Sequence, residues 1–307
     1  MLLGPLTARA APCQSVLESR TTADYDAYLK TAKVAAEQPL GTKLLERVPE
    51  GKRNEGLRVL ESNQAYVWNL HEDQPNGALP VHKGVVVDWM GALLLRGFTV
   101  EALAGVLQQY ESYKKWYQPY IYDCYAQPIP GPGVKNFAVT SILHDVYEKP
   151  APLVPDQHFS FEIKADSSYF WLGAGDSRTL SVRTHAKSIR EANSGHPEHA
   201  DSRASTNDLL PVGQGQGVLW RSDVWWRAVQ RGPDVYAEYE SLSLARSLEG
   251  MEFFSLCSVL RLPGIKGKAL QSMTVRPRLT VTSVVKNTKA ACESARATAS
   301  DHRDPLV

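Results

Sequence analysis

GVVVDWMGALLLRGFTVEALAGVLQQYESYKKWYQP, residues 84–119, decides how the rest of the chain is read. Gly84 to Leu95 is long and apolar with a β-branched start, the composition of a strand. Gly97 breaks it. Thr99 is placed to cap a helix, and Val100, Leu103, Ala104, Val106, Leu107 and Tyr110 recur on one side of a helical repeat. The spacing predicts a helix through Lys115, stopped by Pro119. Its end is crowded with rings: Tyr110, Tyr113, Trp116 and Tyr117, then Tyr120, Tyr122 and Tyr125 beyond the proline. Rings with one polar end suit a boundary that is apolar inside and wet outside.

Downstream lie six more strand-like runs, at 120–129, 135–148, 157–166, 178–191, 216–230 and 234–246. PIPGPG, GAGD and RGPD supply turn chemistry between three of the pairs, which predicts an antiparallel meander. Residues 193–215 read as a polar, mobile loop. Helical spacing returns at 249–262, is interrupted by Pro263 and Gly264, and resumes briefly to about Met273. Strand, helix, six strands, helix is an α+β order. It implies one antiparallel sheet of about seven strands with helices on one side. Such a sheet twists and curls, so helices laid across it leave room for a cavity between the layers.

Upstream, residues 19–37 form an amphipathic helix with Tyr25, Tyr28, Leu29, Ala32 and Ala35 on one face and Thr22 as a candidate cap. A second helical stretch, 42–62, is broken by Pro49 and Gly51. Residues 15–80 hold too few large apolar side chains for a core of their own and read as a mainly helical N-terminal extension. The first fourteen residues allow two readings. One is a disordered start. The other, slightly preferred, is the remnant of an export signal whose true start lies upstream, with the small residues of TARAAP as its cleavage site. Cytoplasmic and exported locations both stay open on this ground.

Thirty-four basic and 33 acidic residues nearly cancel, leaving no electrostatic reason for a nucleic-acid or anionic-membrane partner. No apolar run is long enough for an integral membrane segment. Cys13, Cys124, Cys257 and Cys292 show neither a paired motif nor zinc spacing, so an ordered cysteine here is a small buried hydrophobe.

The order of elements resembles the helix-grip fold of the START-like (SRPBCC), polyketide-cyclase-like superfamily. Residues 81–119 look like the opening of one bacterial branch of it, with a histidine- and tryptophan-bearing first strand and a helix ending in a Tyr/Trp-Pro element. GVLWRSDVWWRAVQRGPDVYAEYESLSLARSL, residues 217–248, looks like that branch's last hairpin, carried by Trp220-Arg221, Trp225-Trp226-Arg227, Glu238, Glu240 and Ser243-Leu244 with Arg246. The resemblance implies a START-like domain over 81–275 and a curved antiparallel sheet wrapped on helices. It also implies an apolar or amphipathic ligand, a lipid or polyketide-like compound. Members often carry export signals, and no catalytic residues carry over. Residues 276–307 show no clear pattern and read as a disordered tail.

Candidate ligand-lining residues are Trp89, Tyr113, Trp116, Tyr117, Trp220 and Trp226. Tyr110 and Trp116 or Tyr117 should be buried between helix and sheet, and at least one of Tyr113, Tyr120 and Tyr122 should face a pocket. Arg227 and Glu240 are candidate polar anchors. Period two gives them two places: inside the cavity, orienting a polar head, or on a solvated outer face as cross-strand ion pairs. His196, Glu198, His199 and Asp201 sit on a flexible proline-containing loop that offers no fixed metal geometry, so no metal and no cofactor are expected. A cyclase or dehydratase would need His144, His158 or His185, or a carboxylate, inside the cavity. An interaction module with a filled core is the third reading.

Overall fold

The computed structural model describes residues 15–38, 40, 44–74, 77–131, 134–147, 157–173, 178–247 and 265–301. The first fourteen residues and the helix expected at 249–262 lie outside these.

The extension supplies β1 (Ser15–Val16), α1 (Ser19–Ala36), α2 (Glu50–Glu61), β2 (Tyr66–Asn69) and β3 (Leu79–Val81). Residues 84–119 fold as β4 (Gly84–Leu95), α3 (Val100–Leu107), a helical turn at Tyr110–Ser112 and the one-turn α4 (Tyr113–Trp116). Then come β5 (Ile121–Ile129), β6 (Lys135–Tyr147), β7 (Gln157–Leu172), β8 (Thr179–Glu191), β9 (Gln214–Gly215), β10 (Arg221–Arg231), β11 (Asp234–Arg246) and α5 (Ile265–Asp301). Nine strands make one sheet in the order β2-β4-β11-β10-β8-β7-β6-β5, with β3 also on β4. Every pairing is antiparallel, so the expected meander holds. Its first long strand, β4, returns beside the last, from Gly84↔Arg246 to Leu95↔Val235.

The sheet is covered on both faces, where the sequence predicts helices on one side. α3 and α5 pack on one face with Leu93, Leu95, Val182, Trp226 and Ala237. The extension covers the other. Tyr25, Ala32 and Ala36 of α1 meet Trp225, Leu242 and Leu244, and Leu45, Val48 and Leu60 meet Met90 and Tyr236. Strand alternation makes this possible, because β4, β10 and β11 are apolar enough to bury both of their sides.

Thr99 caps α3 as expected, accepting from the Ala102 N–H at 3.2 Å. The helix then stops at Leu107 instead of running through Lys115. The Leu107 carbonyl accepts Tyr113 Oη at 2.6 Å and Tyr169 Oη at 2.9 Å. Two phenols thus take the acceptor that a further helical turn would have used.

The largest departure is at the C-terminus. Where the sequence predicts a broken helix and a tail from 276, α5 runs from Ile265 to Asp301 with Pro277 inside it. Interior proline costs a helix about 3 kcal/mol or more. Val281, Val285, Thr288 and Cys292 recur at helical spacing and are buried. Val281 and Val285 pack on β4, and Thr288 Oγ1 pairs with Tyr117 Oη at 2.7 Å. Burying each valine returns about 1.5–3 kcal/mol, so docking outweighs the local penalty. Cys124 and Cys292 are free and buried, and burial pushes both thiols up to about 12.

The 193–215 loop carries a turn at Pro197–His199 and a bridge from Ala192 to Leu209. β9 pairs with β1 and ties the start of the extension down. There Gln216 donates its N–H to Glu191 at 2.9 Å. Burial pushes the Glu191 carboxyl from 4.5 up to about 7, against the pull of Gln216 and Arg246. The folded protein therefore holds a proton that the unfolded chain has lost between those two pH values, and stability falls as pH rises through that window. Glu191→Gln is expected to match the parent at pH 4 and exceed it at pH 8 by about 1–3 kcal/mol in urea unfolding. Equal pH profiles for the two proteins would discard this reading.

Candidate functional site

Between the sheet and its α3–α5 face lies a cavity of about 150 Å³. Its floor is a grid of strand neighbours. Ser167 and Tyr169 of β7 stand beside Thr184 and Val182 of β8, which stand beside Val224 and Trp226 of β10. Val139 and Ser141 of β6 and Tyr239 of β11 extend it. The roof is Leu107, the aromatic junction and Val284 of α5. Tyr110 and Tyr117 are buried, and Tyr113 faces the cavity with them. Edge contacts hold the cluster: Tyr113 and Tyr117 meet at right angles with centroids 4.9 Å apart.

Hydroxyls provide the cavity's polarity. Ser167 Oγ lies 2.9 Å from Thr184 Oγ1, and Tyr110 Oη lies 2.9 Å from Tyr169 Oη. Burial pushes the phenols of Tyr110, Tyr113, Tyr117 and Tyr169 above their ordinary range and that of Tyr239 to about 12, so all five stay protonated. Among the described residues, the lining contains no charged side chain.

No protein-family model and no curated protein matches this sequence. Solved structures similar to it include a STAR-related lipid transfer protein from Xanthomonas axonopodis, at 14% identity over 70% of this chain and 96% of that one, with a TM-score of 0.35. Human STARD10 is similar at 12% identity over 85% and 86%, TM-score 0.35. The Zhui aromatase/cyclase from Streptomyces sp. R1128 is similar at 9% over 68% and 94%, TM-score 0.35. Strand order and register, rather than these distant likenesses, carry the assignment. The fold is an α+β helix grip. Its helix grip consists of β4, a six-strand meander and α5 laid across the sheet.

Within this helix grip, three of the eight candidate residues meet at the cavity: Tyr113, Tyr117 and Trp226. Trp89 and Trp116 pack against the surrounding core without lining it. Trp220 lies on a different cavity, of about 280 Å³, between the start of α1 and β8. Period two places it with Trp226, but β10 begins at Arg221, so the alternation does not reach it. The sequence reading ends β7 at 166, whereas the strand runs to Leu172, and this hid Ser167 and Tyr169. The signal was present, since Ser167, Tyr169 and Trp171 continue the alternation.

Arg227 and Glu240 occupy neither of their two expected places. They face away from the cavity, yet they are 7% and 1% exposed, because the extension covers them. Arg227 pairs with Glu238 and donates to the carbonyls of Ala35 and Gln38 at 3.2 and 3.3 Å, closing the end of α1. Arg47 clasps Glu240 with both terminal nitrogens. Tyr28 donates to Asp88 at 2.8 Å and Tyr25 to Asp223 at 3.0 Å. Burial raises the Asp88 carboxyl well above its usual range, with the neighbouring Glu240 acting the same way. This layer fastens the extension to the sheet.

None of the three strand histidines faces the cavity. His185 pairs with Asp223 at 2.7 Å, on the α1 side. His144 and His158 share the opposite parity from Ser141 and Ser167. They form a column with His196 and His199, with successive ring centroids 5.6, 6.5 and 6.0 Å apart. Among the described residues, no group of three or more His, Cys, Asp or Glu is placed to hold a metal ion. No described helix is long and apolar enough to cross a membrane.

Proposed function

We propose that this chain binds a small apolar or amphipathic molecule in the cavity between the sheet and α5. One observation carries the reading: a space of about 150 Å³ with apolar walls, a few hydroxyls and no charge among the described residues. Sites of this kind hold ligands by burial, at about 25 cal/mol per Å² of apolar area, and orient them with a few polar groups. A cyclase or dehydratase in the same cavity would need an imidazole or carboxylate beside the substrate. The strand histidines lie on the other face of the sheet, which favours binding without chemistry.

Trp226 reports on the cavity directly, because its ring is part of the floor. Titration with small aromatics, fatty acids and sterols is expected to shift tryptophan emission for at least one class. Mass spectrometry of an extract of the purified protein should find an enriched neutral compound. Val224→Phe fills the space and should abolish both signals while costing about 1–3 kcal/mol of stability. Silence of the emission toward all three classes, with no enriched compound, would reject the binding reading.

A further inference from the structure

A second cavity, of about 280 Å³, lies where the first turn of α1 meets β8 and the start of β10, on the side of the sheet that the extension covers. Leu17, Ile189, Val212 and the Trp220 ring give it apolar walls. Lys187 and Arg221 also line it, and among the described residues no carboxylate does. An ammonium, a guanidinium and an indole N–H can only donate, so the sense of these groups is fixed by their chemistry. The hydroxyls of Ser19, Thr22 and Ser188 suit a ligand of either sign and decide nothing.

This donor set is unspent. On β8 and β10, Arg183 meets Glu37 and Asp223, Arg190 donates to the carbonyls of Leu209 and Leu210, Arg227 pairs with Glu238, and Arg231 lies over the Tyr236 ring. Arg221 has no such partner among the described residues, and its Nε is buried without one. Trp220 is 7% exposed, and its indole N–H likewise has no partner. A buried donor left unpaired is costly, so an acceptor supplied from outside is favoured here. α1 starts with no side-chain cap and no acid in its first turn, which leaves its positive end uncompensated where Ser19 and Thr22 reach the cavity. The acids nearby are engaged elsewhere: Asp166 by Lys187 at 2.6 Å, Glu18 by His82 and Lys83, and Asp223 by Tyr25 and His185.

We propose that this second cavity binds an amphipathic monocarboxylate, with its apolar body on Leu17, Ile189 and Val212 and its carboxylate on Arg221. The site is independent of the cavity between the sheet and α5. Its volume is close to the roughly 300 Å³ at which sites for small organic molecules begin. Asp166 already balances Lys187, so Arg221 is the cation left uncompensated in the described lining. One such cation matches one negative charge, and the guanidinium fork matches both oxygens of a carboxylate.

Isothermal titration of the full chain at pH 7 with octanoate, octanamide and octylammonium tests this. Octanoate should bind at least about tenfold more tightly than octanamide, and octylammonium should give no heat. Arg221→Gln should bring octanoate down to the octanamide level while leaving octanamide unchanged, which shows the cavity intact. Arg221→Lys keeps the charge and should keep part of the preference. Octanamide matching octanoate, or octylammonium binding as well as either, overturns the proposal. So does octanoate binding that Arg221→Gln leaves unchanged, since the carboxylate would then sit elsewhere in the molecule. If none of the three binds, this site falls alone, because the cavity beneath α5 keeps its own test through Trp226 emission.

Discussion

Arg227→Met is expected to lower the free energy of unfolding by about 3–5 kcal/mol, the range for removing one partner of a buried ion pair. Arg227 is 7% exposed and Glu238 is 3% exposed. Methionine fills much of the volume but leaves the Glu238 carboxylate, among the described residues, with the Tyr236 hydroxyl as its hydrogen-bond donor. It also strips the Ala35 and Gln38 carbonyls of their donor at the end of α1. Most of the loss comes from stranded polar groups, so Arg227→Met combined with Glu238→Gln should recover about half of it. Urea unfolding reads the energy. Limited proteolysis reads the location, with cleavage expected first in the 37–49 connection that Arg47 and Leu45 anchor to the sheet. A single-variant loss below about 1 kcal/mol would mean that the layer behaves as an ordinary surface pairing.

Gly91→Val should undock α5. A Cβ at this position would sit 2.5 Å from Cγ2 of Val285 and 3.2 Å from Cγ1 of Val281. Both neighbours are β-branched and stiff, so the helix itself has to move. The expected cost is about 2–4 kcal/mol, at or above the usual overpacking range. The movement reaches the cavity, because Val284 is part of its roof. Hydrogen exchange should speed up along residues 277–297 while β6 and β7 stay protected, and affinity for any cavity ligand should drop. Pairing Gly91→Ala with Val285→Ala reopens the contact and should restore docking. Unchanged exchange in Gly91→Val would show that α5 is held by other contacts.

Both expectations concern surfaces that the sequence half discloses. Alternation in β10 and β11 separates Arg227 and Glu240 from Trp226 and Ala228 without any structure. It cannot tell a solvated face from one covered by another part of the chain. That depends on α1 and the Leu45–Val48 segment folding back across it, which is a contact over nearly two hundred residues. The same holds for α5. Local rules see Pro277, Gly267 and a tail of mixed polarity. They do not see that Val281, Val285, Thr288 and Cys292 have Gly91 and Tyr117 waiting for them.

By itself the sequence determined the α+β class, the long strands and their meander order, the cap at Thr99 and the aromatic junction beside a cavity. Each of these is written in neighbouring residues: β-branched runs, turn pairs, a capping threonine, rings at helical spacing. Only the tertiary structure decided which rings meet, that the charged face of the last hairpin is buried under the extension, and that the C-terminal segment is one long helix. Those outcomes depend on surfaces distant in sequence, whose burial outweighs local propensity by a few kcal/mol, and no window along the chain contains both partners.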